Sequence, residues 1–330
     1  MSILVVGGAG YIGSHAVYQL VDEGKDVVII DNLETGHLEA VHPKAAFYQG
    51  DIRQIDFLRE VFKKEKIEAV IHFAAHSLVG ESMENPLKYF DNNVYGTQVL
   101  LQVMNEFQVK YIVFSSTAAV YGEPNQIPIT EEMIPAPTNA YGETKLTMEK
   151  LMKWMNIVHG MNYVALRYFN VAGARQTGEI GEDHSPETHL IPIVLQTALG
   201  QRSHITIYGD DYHTNDGTCI RDYIHVEDLV DAHLKALNHL QVGGSSEIIN
   251  LGSSNGFSVK EIIATARIVT GKKIDAKVGE RRQGDPSTLI ADSSKAKEIL
   301  GWTPARFSIE EMIRDAWEWH SKNPSGYKGR

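Results

Sequence analysis

The stretch Gly7-Gly-Ala-Gly-Tyr-Ile-Gly13 lies between a short apolar run over 3–6 and apolar residues Ile12, Ala16, Val17 and Leu20, which recur at helical spacing until Gly24. Strand, glycine loop and helix in this order constrain the chain more than any other feature. Gly8, Gly10 and Gly13 fit the dinucleotide fingerprint, in which glycines let the backbone approach a pyrophosphate held at a helix N-terminus. The loop residues Gly7, Tyr11 and Ile12 are expected against the same ligand. A second strand over 26–30 leads to Asp31, about 20 residues beyond the loop, where a carboxylate can accept from the adenosine ribose hydroxyls. Its neighbours are Asn32, Leu33 and Glu34, with no arginine to meet a 2′-phosphate. The pattern therefore selects NAD over NADP.

The alternation continues with a strand over 45–49, a helix near 55–65 and a strand over 69–73 running into Ala74 and Ala75. A helix opened by Pro86 runs to Phe107, a strand over 111–114 ends in Ser115-Ser-Thr117, and a sixth strand covers 163–166. Strands and helices joined by short links imply a Rossmann-type doubly wound parallel sheet covered on both faces. Ligands gather at the carboxyl ends of such strands. Asp51, Ile52, Phe73, Ala74, Ala75 and Ser115 fall there, although packing or capping explains Ile52 and Phe73 equally well.

From Ala174 to Glu187 the texture turns polar and glycine-rich, which places a domain boundary near Gly173. An NAD-binding domain is expected over 1–173. A smaller α/β substrate domain is expected over 174–330, discontinuous because segments near 221–250, around Tyr223 and Ile248, return to the sheet. Helices near 190–199, 226–240, 259–270 and 309–321, strands over 204–208 and 247–250, and a loop over 279–286 complete the second half.

Asn139-Ala-Tyr-Gly-Glu-Thr-Lys145 opens a long helical pattern and sets Tyr141 and Lys145 four residues apart, on one helix face. A free tyrosine titrates near ~10 and is a poor base at neutral pH unless a cation stabilises the phenolate. Lys145 supplies one such cation. Lowering the pKa by roughly three units takes about 4 kcal/mol, so a second positive charge is wanted, and an oxidised nicotinamide provides it.

The formal net charge of -11 in 330 residues, with no basic stripe, argues against a nucleic-acid partner. Cys219 is the only cysteine, which favours a reducing, cytoplasmic setting. No apolar run approaches the ~18 residues of a membrane span, and the N-terminus lacks signal-peptide features. No metal site is expected.

Beyond the glycine loop and the Tyr/Lys pair, the chain carries Asp31-Asn-Leu33, Val79-Gly-Glu-Ser82, Leu166-Arg-Tyr-Phe-Asn170, Asp216-Gly-Thr218, Arg221-Asp-Tyr-Ile-His225 and Asn250-Leu-Gly252. With these motifs it closely resembles, along nearly its whole length, the UDP-glucose (UDP-galactose) 4-epimerases of the extended short-chain dehydrogenase/reductase superfamily. The resemblance implies a tightly held NAD, a UDP-hexose substrate and a homodimer built on two long helices of the first domain. On that pattern Tyr141 takes the 4-hydroxyl proton while C4 gives hydride to NAD. The 4-keto sugar then turns over in the site and receives the hydride back. Lys145 would lower the Tyr141 pKa and bind the nicotinamide ribose, and Thr117, often serine in the family, would hydrogen-bond the 4-oxygen. Tyr168 would lie by the nicotinamide amide and Asn92 near the cofactor.

For the substrate, the resemblance implies that Arg221 and Arg282 bind the diphosphate, Asn170 faces the diphosphate or sugar, and Tyr208 packs on uracil. His189, Leu190, Asp285 and Leu289 complete the expected substrate contacts. His189 replaces a common asparagine, Ser77 a common lysine, and Val6 a threonine. Related 4,6-dehydratases typically carry Asp-Glu after the active-site threonine, and decarboxylases a glutamate. This chain has Ala118 and Ala119, which cannot transfer protons. A non-enzymatic NAD sensor would be supported by loss of the Tyr or Lys, and both are present. N-acetylated UDP-sugars and uronates stay open as alternative substrates.

Overall fold

The computed structural model describes residues 2–282 and 285–329, so positions 283 and 284 of the expected loop over 279–286 lie outside the described residues. Six strands of the first half, β1 (Ser2–Val6), β2 (Asp26–Asp31), β3 (Ala46–Gln49), β4 (Ile67–His72), β5 (Tyr111–Ser115) and β6 (Asn162–Tyr168), join Glu247–Leu251 in one sheet. The order is β3–β2–β1–β4–β5–β6, with Glu247–Leu251 beyond β6 and every neighbour parallel. This is a Rossmann-type α/β fold.

The strands are apolar throughout because both faces are covered. Leu4 and Val6 share one core with Val28 and Ile30, and Ile3 and Val5 share the other with Val27 and Ile29. On the first face, the helix Ile55–Lys64 turns Leu58, Val61 and Phe62 inward. On the second, the helix Val226–Gln241 contributes Leu229, Ala232, Ala236, Leu237 and Leu240. Burying one such side chain is worth about 1.5–3 kcal/mol, so the two layers clamp the sheet. The chain order reverses at β1, which lies between β2 and β4. A crevice opens there at the strand ends.

The strand containing Tyr223, Ile220–His225, does not enter the large sheet. It pairs with Asn170–Ala172, Gly256–Ser258 and Thr288–Leu289 in a smaller one. A third sheet pairs Ile205–Tyr208 with Ala276–Gly279. The helices Leu190–Ala198, Val259–Thr270 and Ile309–Lys322 close a separate core around Ile191, Leu195, Ile262, Met312 and Ile313.

The helix opened by Pro86 is not regular along its length. Pro86–Tyr89 is α-helical, Phe90–Tyr95 winds as a π-helix, and Gly96–Glu106 resumes the α-helix. No helix among the described residues is long and apolar enough to cross a membrane.

Candidate active site

The crevice floor is the turn after β1. Gly7 adopts φ +80, and a Cβ there would stand 2.7 Å from the main-chain nitrogen of Ala74. A Cβ on Gly13 would collide with the Gly7 carbonyl oxygen, whereas one on Gly10 would only touch the same oxygen at 3.5 Å. The loop is thus held tight from beneath and left free above. Gly10 caps the helix Tyr11–Asp22 without a side-chain hydrogen bond, leaving the first-turn N–H groups available to an anion. Ile12 packs into the core, and the Tyr11 hydroxyl donates to the Gly173 carbonyl at 2.7 Å.

At the end of β2, Asp31 accepts from the N–H groups of Ala9 (3.0 Å) and Leu33 (2.9 Å). Burial raises its pKa, and these two N–H groups offset that rise. Asn32 donates to Asp51 at 3.4 Å, and Arg53 binds both Asp51 oxygens, holding that carboxyl at about 2. Ile52 is buried in the core, with Gly96 close against it. Phe73 and Ala74 donate main-chain N–H groups to Val6, and Ala75 follows half-buried in the same segment. A glycine cradle with a carboxylate one strand away fits an NAD pyrophosphate and ribose.

The helix Ala140–His159 is capped by Asn139, whose side chain accepts from the Gly142 N–H at 2.8 Å. This cap starts the helix one residue before Tyr141 and sets Lys145 one turn further in. The Lys145 nitrogen donates to the Ser115 carbonyl at 2.7 Å and lies 4.9 Å above the Phe114 ring. Burial pushes the Tyr141 phenol up to about 12, opposed by a hydrogen bond with Thr117, and pulls Lys145 down to about 7, opposed by Glu149. The Ser115 and Tyr168 hydroxyls are hydrogen-bonded, and burial raises the Tyr168 pKa. Asn92 is buried beside Asn93, to which it donates at 2.9 Å.

Asn93 and Glu149 escaped the sequence reading, and Arg167 was read there only as part of a motif. Asn93 accepts from the His76 N–H and donates to the His76 carbonyl and to Thr144, tying the segment after β4 to the Tyr141 helix. Glu149, fully enclosed, receives Arg167 at 2.9 and 2.6 Å and also the Ser116 hydroxyl. Glu149 stands four residues after Lys145, on the same helix face, so an acid continuing the Tyr141–Lys145 stripe was the available signal.

On the opposite wall, Asn170 donates to the Asp222 carbonyl at 3.2 Å. Arg221 forms an ion pair with Asp285 at 3.1 Å, and the Arg282 guanidinium stacks 4.0 Å over the exposed Tyr208 ring. His189 caps the helix Leu190–Ala198. Leu289 pairs in register with Arg221 and packs against Val120, Tyr121 and Leu146. It links the arginine side to the Tyr141 side.

Fold and site define an α/β enzyme scaffold that holds a dinucleotide beside a tyrosine–lysine pair. Residues 3–252 match the NAD dependent epimerase/dehydratase family. The chain belongs to that family. It is 58% identical over 330 residues to the UDP-glucose 4-epimerase of Lacticaseibacillus casei, covering 100% of both chains. A solved UDP-glucose 4-epimerase superimposes with a TM-score of 0.98 at 60% identity, covering 99% of each chain. The Brucella ovis UDP-glucose 4-epimerase, solved in complex with NAD, gives 0.94 at 46% identity, covering 96% of this chain and 97% of that one.

Proposed function

We propose that this protein interconverts UDP-glucose and UDP-galactose through a 4-keto sugar, using NAD held in the glycine cradle. The observation that carries this reading is the pairing of Tyr141 with Thr117 and Lys145 at the crevice, followed by Ala118 and Ala119 in place of a second acid and base. Bound NAD supplies a two-electron acceptor and donor for sugar C4. Tyr141 removes and returns the proton of the 4-hydroxyl. Thr117 hydrogen-bonds that oxygen, and Lys145, braced by Ser115, favours the phenolate. With no further proton-transfer group beside Thr117, water is not eliminated and the keto sugar can only be reduced again.

The cofactor side of this reading comprises Gly7, Gly10, Tyr11, Ile12, Gly13, Asp31, Asn32, Asp51, Ile52, Phe73, Ala74, Ala75, Asn92, Ser115 and Tyr168. Arg221 and Arg282 meet the diphosphate, Asn170 faces the diphosphate or the sugar, and His189, Leu190 and Asp285 complete the substrate contacts. Tyr208 lies by the base and Leu289 by the sugar. The division into a cofactor part over 1–173 and a substrate part over 174–330, with Glu247–Leu251 returning to the large sheet, belongs to the same proposal.

A homodimer is supported by large apolar side chains left exposed on the two long helices of the first half, among them Leu87, Tyr95, Trp154, Ile157 and Val158. The single cysteine supports a cytoplasmic location.

The test is to give the purified protein UDP-galactose without added cofactor and to separate the products chromatographically. UDP-glucose should accumulate to equilibrium with no matching growth of NADH absorbance. Stoichiometric NADH would identify a dehydrogenase instead.

A further inference from the structure

Away from the tyrosine–lysine pair, Glu182, His184, Glu187 and His189 converge, one candidate ligand atom from each lying within 4.8 Å of all the others. The Nδ1 of His189 is 3.0 Å from Glu182 Oε1 and 3.0 Å from Glu187 Oε1. The Nδ1 of His184 is 3.3 Å from Glu182 Oε1 and 3.6 Å from Glu187 Oε2. Both rings therefore present the same nitrogen to the same two carboxylates.

Two carboxylates facing two imidazoles can be neutralised by protons on the rings or by one divalent ion. Protonated rings would give charge-assisted N–H···O bonds of about 2.7–2.9 Å. Here the one such bond, His189 Nδ1 to Glu187 Oε1, is longer at 3.0 Å, and the shielded Nδ1 of His184 makes no hydrogen bond among the described residues. The four nitrogen–oxygen spacings of 3.0–3.6 Å, in which Glu187 turns a different oxygen to each ring, bracket the ~3.3 Å edge of a tetrahedron whose bonds to the central ion are ~2.0–2.1 Å.

The surroundings suit a metal. Glu187 Oε1 is oriented by the main-chain N–H groups of Thr188 and His189, each at 2.8 Å. Ordered outer partners of this kind fix the direction in which a ligating carboxylate points. The two glutamates form a buried floor, and the more exposed His189 ring leaves an entry path.

We propose that Glu182, His184, Glu187 and His189 form a structural site for one divalent transition-metal ion, zinc being the ion that two imidazoles and two carboxylates in tetrahedral array select. The ion would fasten the 182–189 segment to the start of the helix Leu190–Ala198. It would also occupy the Nδ1 of His189, leaving only Nε2 for a substrate contact. Tyr11, from the glycine loop, stands edge-on to His184 at 6.3 Å, so the site adjoins the cofactor side of the crevice. The spacing Glu-x-His-x-x-Glu-x-His was legible in the polar stretch before Leu190, but without the loop's path it did not distinguish ligands from a solvated turn.

The test uses full-length protein stripped with a chelator and confirmed to be folded by circular dichroism. Zinc alone, titrated against a chromophoric competitor, should saturate at about one ion per chain and raise the melting temperature. Cobalt(II) should give the intense visible bands of a tetrahedral centre. His184→Gln and Glu187→Gln should each weaken zinc binding by more than the ~10–100-fold typical of losing an outer partner. No saturable zinc binding, a pale octahedral cobalt spectrum in the wild type, or unchanged affinity in both folded variants would overturn the assignment. The readouts are metal content and spectrum, so they are independent of the epimerase reading.

Discussion

The Lys145 nitrogen lies 5.9 Å from the centre of the Tyr141 ring and is bonded to the Ser115 carbonyl, so the ammonium faces the phenol without resting on it. With the phenol up at about 12 and the lysine down at about 7, burial favours the neutral form of both groups. A further positive charge is needed to draw out the phenolate.

Oxidised nicotinamide should supply that charge. The charged form of tyrosine is an anion, so a nearby cation lowers its pKa, and activity should rise with pH up to the lowered value and then level off. Phenolate absorbance should therefore appear at lower pH with NAD bound than with NADH bound. The difference should vanish in Tyr141→Phe. Identical titrations with the two cofactor forms would rule out the cation's part in activating Tyr141.

Tyr141→Phe removes one hydroxyl and no packing volume. Turnover should fall by the ~10²–10⁴-fold typical of losing a general base, while the protein stays folded and keeps its NAD. Turnover near the wild-type value would show that another group moves the proton.

Glu149→Gln leaves Arg167 enclosed without its counter-charge. Breaking a buried pair in this way costs about 3–5 kcal/mol, which urea denaturation would read as a lower midpoint. Because Glu149 raises the Lys145 pKa, the lysine in this variant should lose its proton at still lower pH. A midpoint within error of wild type would show that Arg167 finds water or another partner.

Gly13→Ala drives a methyl group into the Gly7 carbonyl. The loop must shift to admit it, so the variant should purify with much less nucleotide than wild type, as measured on the denatured supernatant. Full retention of nucleotide would mean that the cradle tolerates the shift.

Leu289 packs between the arginine strand and the Tyr141 side of the pocket, and its size should govern the room beside the sugar. Leu289→Tyr should lower the specificity constant for UDP-N-acetylglucosamine relative to UDP-glucose by about 10-fold or more, and Leu289→Ser should raise it. An unchanged ratio across the three proteins would move the gate elsewhere.

The large sheet was legible because its strands are long, apolar and separated by periodic helices, and the Gly7–Gly13 loop announced the cofactor crevice. The small strands Asn170–Ala172 and Thr288–Leu289 were not, since two or three residues cannot display a period. Tyr223 was expected to return to the large sheet, yet its strand Ile220–His225 pairs in the smaller one, where its last four residues are buried like those of a central strand. The burial comes instead from a second sheet, and sequence alone does not separate these cases. Asn93 and Arg167 act through partners distant in the chain, as in Asn93–Thr144 and Arg167–Glu149, which only the folded path brings together. Arg53 closes on Asp51 and Arg282 on Tyr208, contacts that depend on side-chain direction and not on spacing.

The wide winding over Phe90–Tyr95 accommodates a residue that regular winding has no place for. Every side chain from Gly96 onward is turned by about 100° relative to an uninterrupted helix. One rod thereby serves two masters: its early turns set Asn93, with Asn92 bonded to it, against His76 and Thr144, and its later turns aim Val99, Leu100 and Val103 at the core. The surplus residue acts as a clutch between recognition and packing, letting each half keep its own phase.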